Sequence, residues 1–213
     1  MIGSALRSLI GHAGNLLGSG ARAEALGKSE TLSRAQILAD LAGKSVAVVG
    51  NSRALAKGNH GANIDTADVV IRINRAPMPA PTSHGRRTDW LALATALPGS
   101  DIDRIRPGVI LWMSHKRKRL RKWMIRYARF YLHPLAEHRS LADDLGAPPT
   151  TGLMVLNFVA GSSATSVQIY GFDFFASQSL TGRRAAHQVP HDFAAESAWV
   201  QKLLATDARF GLN

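Results

Sequence analysis

One stretch of the chain, residues 45–77, most constrains how it can fold. The stretch begins with the apolar run Val46–Val49 and then changes to the polar turn Gly50-Asn51-Ser52. A short apolar run that ends in such a turn is typical of a buried parallel strand. Because ligands of open α/β sheets bind beyond the carboxyl ends of the strands, the turn is predicted to lie at a binding site.

A second strand end follows in the same stretch. The apolar residues 69–71 lead to the polar residues Arg72, Asn74 and Arg75. We expect both strand ends to offer polar groups to one crevice, since both strands are predicted to be parallel. A helical turn that begins at Ser52 is predicted to place free N–H groups there, which favours an anionic ligand.

The rest of the chain alternates between predicted strands and helices. Predicted strands cover residues 90–94, 109–113, 130–132 and 166–174, and predicted helices cover residues 33–42, 135–145, 151–160 and 192–204. This alternation predicts an α/β fold: a single Rossmann-like domain with a mostly parallel central sheet and helices on both faces.

Two regions are predicted along the chain: an N-terminal amphipathic arm at residues 1–30 and a domain at residues 31–213. The arm has leucines at helical spacing, interrupted by glycines. It is either a loosely attached arm, a part of the core, or a membrane-surface anchor.

The composition favours a cytoplasmic protein. The chain of 213 residues is 46% hydrophobic, has no cysteine, and contains no apolar run long enough to span a bilayer. The absence of cysteine excludes disulfides and thiolate metal sites and fits a reducing compartment.

Positive charge is concentrated in one segment, residues 116–129. This segment has eight Lys or Arg and no acid, so +3 of the net charge of +11 remains for the rest of the chain. Leu120, Trp123, Met124 and Tyr127 lie at helical spacing, which predicts an amphipathic helix with one charged face. That face is either simply solvated, or it contacts an anionic membrane or glycolipid surface. Nucleic acid is disfavoured because neither half of the predicted crevice resembles a base-reading module and one basic helix alone is a weak signal.

Two more segments carry candidate site residues. Thr150-Thr151-Gly152 opens a predicted helix, where a threonine either caps the helix or contacts a ligand. His191 follows a proline and precedes the last predicted helix. It is either an ordinary residue at the start of a helix or a catalytic base, a role that suits an imidazole because its unperturbed pKa is about 6.5.

These segments resemble the motifs of a known enzyme family. VAVVGNS followed by IDTADVVIRINRAP resembles the long sialyl motif of the eukaryotic-type sialyltransferases, and PPTTGLMVLNFVA with VQIYGF resembles their short motif. HDFAAE, from His191 to Glu196, resembles their very short motif. The three motifs occur in the family's order and span residues 45–199.

The resemblance implies a GT-A-variant glycosyltransferase that transfers an acidic sugar from a CMP donor to a glycan, polysaccharide or glycolipid acceptor. It implies inversion at the anomeric carbon, with no metal and no cofactor. His191 would be the catalytic base, and Glu196 would support the motif. The residues that would bind the donor are Gly50, Asn51, Ser52, Asn74, Thr150, Thr151, Gly152, Gly171, Phe172 and His187.

The chain departs from the family at two points. The positions of the animal enzymes' disulfide correspond to Val46 and Ala164, and His187 is followed by Gln188 rather than by an aromatic residue. Sialic acid and a Kdo-like sugar remain alternatives as the donated sugar. A non-catalytic or oxidoreductase nucleotide-binding Rossmann-like protein is the alternative function, although the Gly50 turn lacks the Gly-x-Gly-x-x-Gly spacing.

Overall fold

A computed structural model of the protein describes residues 31–173 and 189–213. The strands of this part of the chain form one seven-stranded sheet. The strands are β1 (Ser45–Val49), β2 (Val69–Ile73), β3 (Trp90–Leu93), β4 (Val109–Trp112), β5 (Phe130–Leu132), β6 (Ser166–Tyr170) and β7 (Phe210–Leu212). All six neighbouring pairs are parallel, in the order β5-β4-β3-β2-β1-β6-β7. The predicted α/β fold with a parallel sheet is confirmed.

Helices cover both faces of the sheet. The α-helices are α1 (Arg34–Ala39), α2 (Gly61–Thr66), α3 (Pro81–His84), α4 (Gly99–Ile105), α5 (Lys122–Ile125), α6 (Leu135–Leu145), α7 (Thr151–Ala160) and α8 (Phe193–Thr206), with 3-10 helices at Arg53–Lys57 and Arg117–Arg119. Apolar residues of α1, α6, α7 and α8 form one buried cluster with one face of the sheet. Apolar residues of α2, α4 and α5 pack against the opposite face, because successive strand residues point to opposite sides.

The strand order reverses direction at β1. Strand β2 lies on one side of β1 and β6 lies on the other, so chain connections leave this point in both directions. Val49 pairs with Arg72 of β2 and with Tyr170 of β6, which brings the three strand ends level. A crevice at such a point is the usual ligand site of an open α/β sheet.

The predicted amphipathic helix over residues 116–129 is wrong. The segment contains a three-residue 3-10 helix and the four-residue helix α5, separated by Leu120 in an extended conformation. Arg117 is only 9% exposed, and its guanidinium donates to the carbonyls of Ser114 (2.8 Å) and His133. These bonds tie the segment to the ends of β4 and β5, and that tertiary contact overrides the helical spacing.

The predicted position of Arg72 is wrong. Arg72 was expected in a turn, but it lies within β2, is 1% exposed, and donates to the carbonyls of Arg87 (2.8 Å) and His84 (2.6 Å).

The predicted arm at residues 1–30 lies outside the described residues. In the described part of the chain, no helix has both the length and the apolarity to cross a bilayer.

Candidate active site

The turns that follow β1 and β6 are in direct backbone contact. The N–H of Gly50 donates to the carbonyl of Tyr170 at 2.7 Å, and that of Ser52 donates to the carbonyl of Gly171 at 3.2 Å. A Cβ atom at Gly50 would lie 2.3 Å from the carbonyl oxygen of Gly171, and Gly171 has a φ of +67°. Both positions therefore require glycine.

Phe172 joins these turns to the first turn of α7. A Cβ atom at Gly50 would lie 2.9 Å from Cδ2 of Phe172, and one at Gly152 would lie 2.6 Å from its Cε1. The ring therefore rests against two positions that lack a side chain. The structure brings the predicted residues Gly50, Gly152, Gly171 and Phe172 together.

The two asparagines fix the ends of β1 and β2. Nδ2 of Asn51 donates to the carbonyl of Ile73 at 3.0 Å, and Oδ1 of Asn74 accepts from the N–H of Ala94 at 3.0 Å. A carbonyl only accepts and an N–H only donates, so these partners determine how each amide is oriented. Among the described residues, Oδ1 of Asn51 and Nδ2 of Asn74 have no hydrogen-bond partner, which leaves an acceptor and a donor for a ligand.

Ser52 has a local structural role. Its buried hydroxyl accepts from the N–H of Ala54 at 3.1 Å and caps the 3-10 helix Arg53–Lys57, which ends at Gly58. The predicted helical turn therefore exists, but it is one short 3-10 helix. Its dipole is correspondingly smaller than that of an α-helix.

Thr150 caps α7 and is held by Glu196. Its hydroxyl accepts from the N–H of Leu153 at 3.2 Å and donates to Oε2 of Glu196 at 2.7 Å, and its own N–H donates to Oε1 of Glu196 at 2.6 Å. The carboxyl group is 4% exposed. Burial raises the pKa of Glu196, and the hydrogen bonds from Thr150 oppose that rise.

The amino end of α7 has two backbone donors available. The N–H groups of Thr151 and Gly152 have no recorded hydrogen bond within the described part of the chain, as expected for the first turn of a helix. α7 is ten residues long, so its positive dipole end adds to these donors. The helix start next to Phe172 therefore suits an anion.

His191 has a defined tautomer. Its Nδ1 lies 2.7 Å from the carbonyl oxygen of Pro148, which can only accept, so Nδ1 carries the proton. Nε2 therefore has its lone pair free to take a proton from a substrate. Asp192, the next residue, caps α8 by accepting from the N–H of Ala195 at 2.9 Å.

His191 and Glu196 both reach the short segment that leads into α7. His191 binds Pro148, and Glu196 binds Thr150, two residues further along. The sequence predicted roles for His191 and Glu196 but not these contacts, because their partners lie more than forty residues away along the chain. The candidate base is thus held in a fixed relation to the helix start at Thr151 and Gly152.

The donor-binding and catalytic roles of the site residues stay predictions. His187, a predicted donor-binding residue, lies outside the described residues. Among residues 31–173 and 189–213, no three His, Asp or Glu side chains are grouped so that they could hold a metal ion. A reaction without metal remains a prediction.

The fold and the site define a class of protein: a single-domain α/β protein with a candidate ligand crevice at its strand switch point and a histidine near that crevice. Residues 23–124 match the family model described as glycosyltransferase family 29 (sialyltransferase). No curated protein matches the chain.

Solved sialyltransferases share the fold. A mammalian sialyltransferase is 16% identical, with 88% of this chain and 82% of that chain covered and a TM-score of 0.57. The sialyltransferase CstII from Campylobacter jejuni, in complex with the substrate analogue CMP-3FNeuAc, is 10% identical, with 79% and 81% covered and a TM-score of 0.56. The sequence match over residues 23–124 and the shared fold identify the chain as a sialyltransferase-like, CMP-sugar-dependent glycosyltransferase.

Proposed function

We propose that the enzyme transfers an acidic keto-deoxy sugar, sialic acid or a Kdo-like sugar, from a CMP donor to a glycan hydroxyl, with inversion and without a metal ion. The observation that carries this proposal is the hydrogen bond from Nδ1 of His191 to the carbonyl of Pro148, which leaves Nε2 as a base. An acceptor hydroxyl is a weak nucleophile at neutral pH, so it needs such a base.

The proposed reaction is a single displacement. Nε2 of His191 takes the proton of the acceptor hydroxyl while the acceptor oxygen forms a bond to the anomeric carbon. The bond from that carbon to the phosphate oxygen breaks, and CMP leaves with the electron pair. Attack from the side opposite the phosphate inverts the configuration, as in other displacements at an anomeric carbon that proceed in one step.

The charge that develops on CMP is stabilised, in this proposal, by backbone groups. The N–H groups of Thr151 and Gly152 at the positive end of α7 bind the phosphate, which removes the need for a metal. The nucleotide lies against Gly50, Gly171 and Phe172. The free amide groups of Asn51 and Asn74 hydrogen-bond to it, and His187 remains a further predicted contact. The solved complex of CstII with the substrate analogue CMP-3FNeuAc supports a CMP-sugar donor for this chain.

The acceptor and the location are also proposals. We propose a polysaccharide or glycolipid acceptor at the inner face of a membrane, reached from the cytoplasm. The support is the absence of cysteine and the exposed basic side chains between residues 116 and 129. Co-sedimentation with anionic and neutral vesicles tests the membrane contact, and equal binding to both vesicles would contradict it.

Calorimetric titration followed by product analysis tests the reaction. In buffer with EDTA, CMP should bind more tightly than UDP, NAD or a short oligonucleotide. With CMP-sialic acid and CMP-Kdo as donors, NMR of the product should show the inverted anomeric configuration. A product that requires added divalent metal, or that retains the donor configuration, contradicts the mechanism. Binding of NAD in preference to CMP would instead favour the oxidoreductase alternative.

A further inference from the structure

A second polar cluster lies at the same edge of the sheet as the donor crevice, at the carboxyl ends of β4 and β5. We call it the histidine cluster, and it consists of His115, Arg117, His133 and His138. Neighbouring strands are about 4.8 Å apart, so the end of β4 lies about 14 Å from the end of β1, three strands away. This separation is too large for the cluster to belong to the nucleotide crevice.

Two imidazoles of the cluster share one hydrogen bond. Nδ1 of His115 lies 3.1 Å from Nε2 of His138, and the ring centroids are 4.6 Å apart. One ring must donate and the other accept, so at most one of the two rings can be protonated while this bond exists. His115 is exposed and His138 is half-buried, which leaves the pair accessible to a ligand from solvent.

Positive groups surround this pair. Burial is the main cause that lowers the pKa of each ring, and nearby cations add to it: Lys116, Arg117 and Arg119 for His115, and Arg117 and Arg139 for His138. His133 is a neighbouring neutral ring from β5, because burial lowers its pKa to about 4. Unlike the nucleotide crevice, the histidine cluster combines a neutral pair of imidazoles with the permanent positive charge of neighbouring Lys and Arg side chains.

The acid in the first turn of α6 does not neutralise that potential. Oε2 of Glu137 lies 3.2 Å from Nε of Arg34 and 4.0 Å from Nδ1 of the neutral ring of His133, so its charge is balanced mainly by Arg34. Residues 116–129 contain no acid. The amino end of α6 adds further positive character, because Pro134 provides no side-chain cap.

We propose that the histidine cluster binds an oxyanion of the acceptor, a phosphate or a carboxylate, and so holds the acceptor with its reactive hydroxyl towards His191. This inference rests on the proposed transfer reaction, because it assigns the acceptor class of that reaction. The oxyanion accepts hydrogen bonds from both rings at once. To donate from both outward nitrogens, Nε2 of His115 and Nδ1 of His138, the pair takes up one proton and keeps its shared hydrogen bond, because an imidazolium donates to the neutral ring.

Matched acceptors test this subsite. Three oligosaccharides share the same reactive end and differ at the far end, which is neutral, carboxylated or phosphorylated. For the wild type, kcat/KM should be at least about tenfold higher with either anionic acceptor than with the neutral one. The double variant His115→Gln, His138→Gln should lose this preference and should keep its kcat/KM on the neutral acceptor within about twofold.

A charge-removing variant provides the control. Arg126→Gln removes a full exposed charge from the same basic segment but leaves the histidine pair intact. It should retain the preference for anionic acceptors, because the pair and not the general positive field supplies the contact. The proposal is overturned if the double histidine variant still prefers anionic acceptors, or if Arg126→Gln loses the preference to the same degree.

Ligand binding without catalysis separates this inference from the proposed function. The imidazole signals of His115 and His138 in NMR spectra, identified with the single Gln variants, should both shift on titration with sulfate, more strongly at about pH 6 than at about pH 8. Shifts without any sugar transfer would refute the transfer reaction but leave an oxyanion site. Transfer without shifts, and without an acceptor preference, would refute the site alone.

Discussion

Glu196 accepts two hydrogen bonds from one residue: the N–H of Thr150 at 2.6 Å and its hydroxyl at 2.7 Å. Thr150 caps α7, and Glu196 lies in the first turn of α8, five residues after His191. The pair therefore couples the helix that presents the candidate base to the helix whose start faces the donor crevice. This contact with Thr150 is the structural role of Glu196 in the very short motif.

Replacement of this carboxyl group should weaken both stability and transfer. Glu196→Ala leaves the N–H and hydroxyl of Thr150 without their partner in a buried position, so the free energy of unfolding should fall by about 2–4 kcal/mol. Urea denaturation measures this loss. Asp101→Ala is the matched control, since Asp101 forms only a half-exposed ion pair with Arg104 at 3.6 Å and should change stability by less than about 0.5 kcal/mol. Equal losses in the two variants would contradict the coupling.

Gly152→Ala should weaken donor binding. The new Cβ atom would lie 2.6 Å from Cε1 of Phe172, so the ring must move away from the turns after β1 and β6. Overpacking of this kind typically costs about 1–3 kcal/mol, which is a loss of CMP affinity of about 5- to 150-fold if the cost falls on the bound state. Calorimetric titration with CMP measures it.

The control for this substitution is Gly99→Ala at the start of α4. A Cβ atom at Gly99 would meet nothing within 4 Å, and its backbone does not require glycine. Stability and CMP affinity should therefore stay within about 0.5 kcal/mol of the wild type. Unchanged CMP affinity in Gly152→Ala would show that Phe172 does not contribute to the nucleotide pocket.

The sequence predicts most of the strands and the longer helices of this fold, because their periodicity and their glycine and proline boundaries are local signals. Helix α6 begins and ends where predicted. Strand β7 was missed because it is a three-residue edge strand with a central glycine, and only its pairing with β6 defines it. The error at residues 116–129 has a similar origin, since the buried contacts of Arg117 are invisible to a helical pattern.

For the site, the sequence identifies residue types but not their partners. Asn51 and the carbonyl of Ile73 are 22 positions apart, and Glu196 and Thr150 are 46 positions apart. Such contacts depend on how β1, β2, α7 and α8 are arranged in space. Local sequence therefore could not show that the N–H and hydroxyl of Thr150 are already hydrogen-bonded to Glu196. Nor could it show that the N–H groups of Thr151 and Gly152 are the ones left for a ligand.

His133 should make the protein sensitive to acid. Its ring is 1% exposed, neither nitrogen has a hydrogen-bond partner in the described part of the chain, and burial lowers its pKa from 6.5 to about 4. The unfolded chain therefore binds a proton at higher pH than the folded chain does. The stability that results is fully present above pH 6.5 and is lost as the pH falls towards 4, by about 3 kcal/mol in total.

His133→Phe removes this titration and keeps a ring of similar shape. The difference in unfolding free energy between wild type and variant, from urea curves at about pH 7, 5 and 4, should shift by about 3 kcal/mol in favour of the variant at the lowest pH. Titratable groups that the wild type and the variant share contribute equally to both unfolding free energies, so their contributions cancel in this difference. A difference that does not change with pH would show that His133 is protonated in the folded state as readily as in the unfolded chain.

The tautomer of His191 offers the most direct test of its role as a base. Because the carbonyl of Pro148 accepts from Nδ1, the neutral ring should carry its proton on Nδ1 and leave Nε2 bare. Long-range proton–nitrogen NMR spectra of protein labelled at histidine distinguish the two tautomers, and the signal absent from His191→Ala assigns the ring. The same variant should lose transfer by about 10²–10⁴-fold while its CMP affinity stays within about twofold, since the ring acts on the acceptor and not on the nucleotide. A proton found on Nε2, or near-normal turnover by the variant, would require another base.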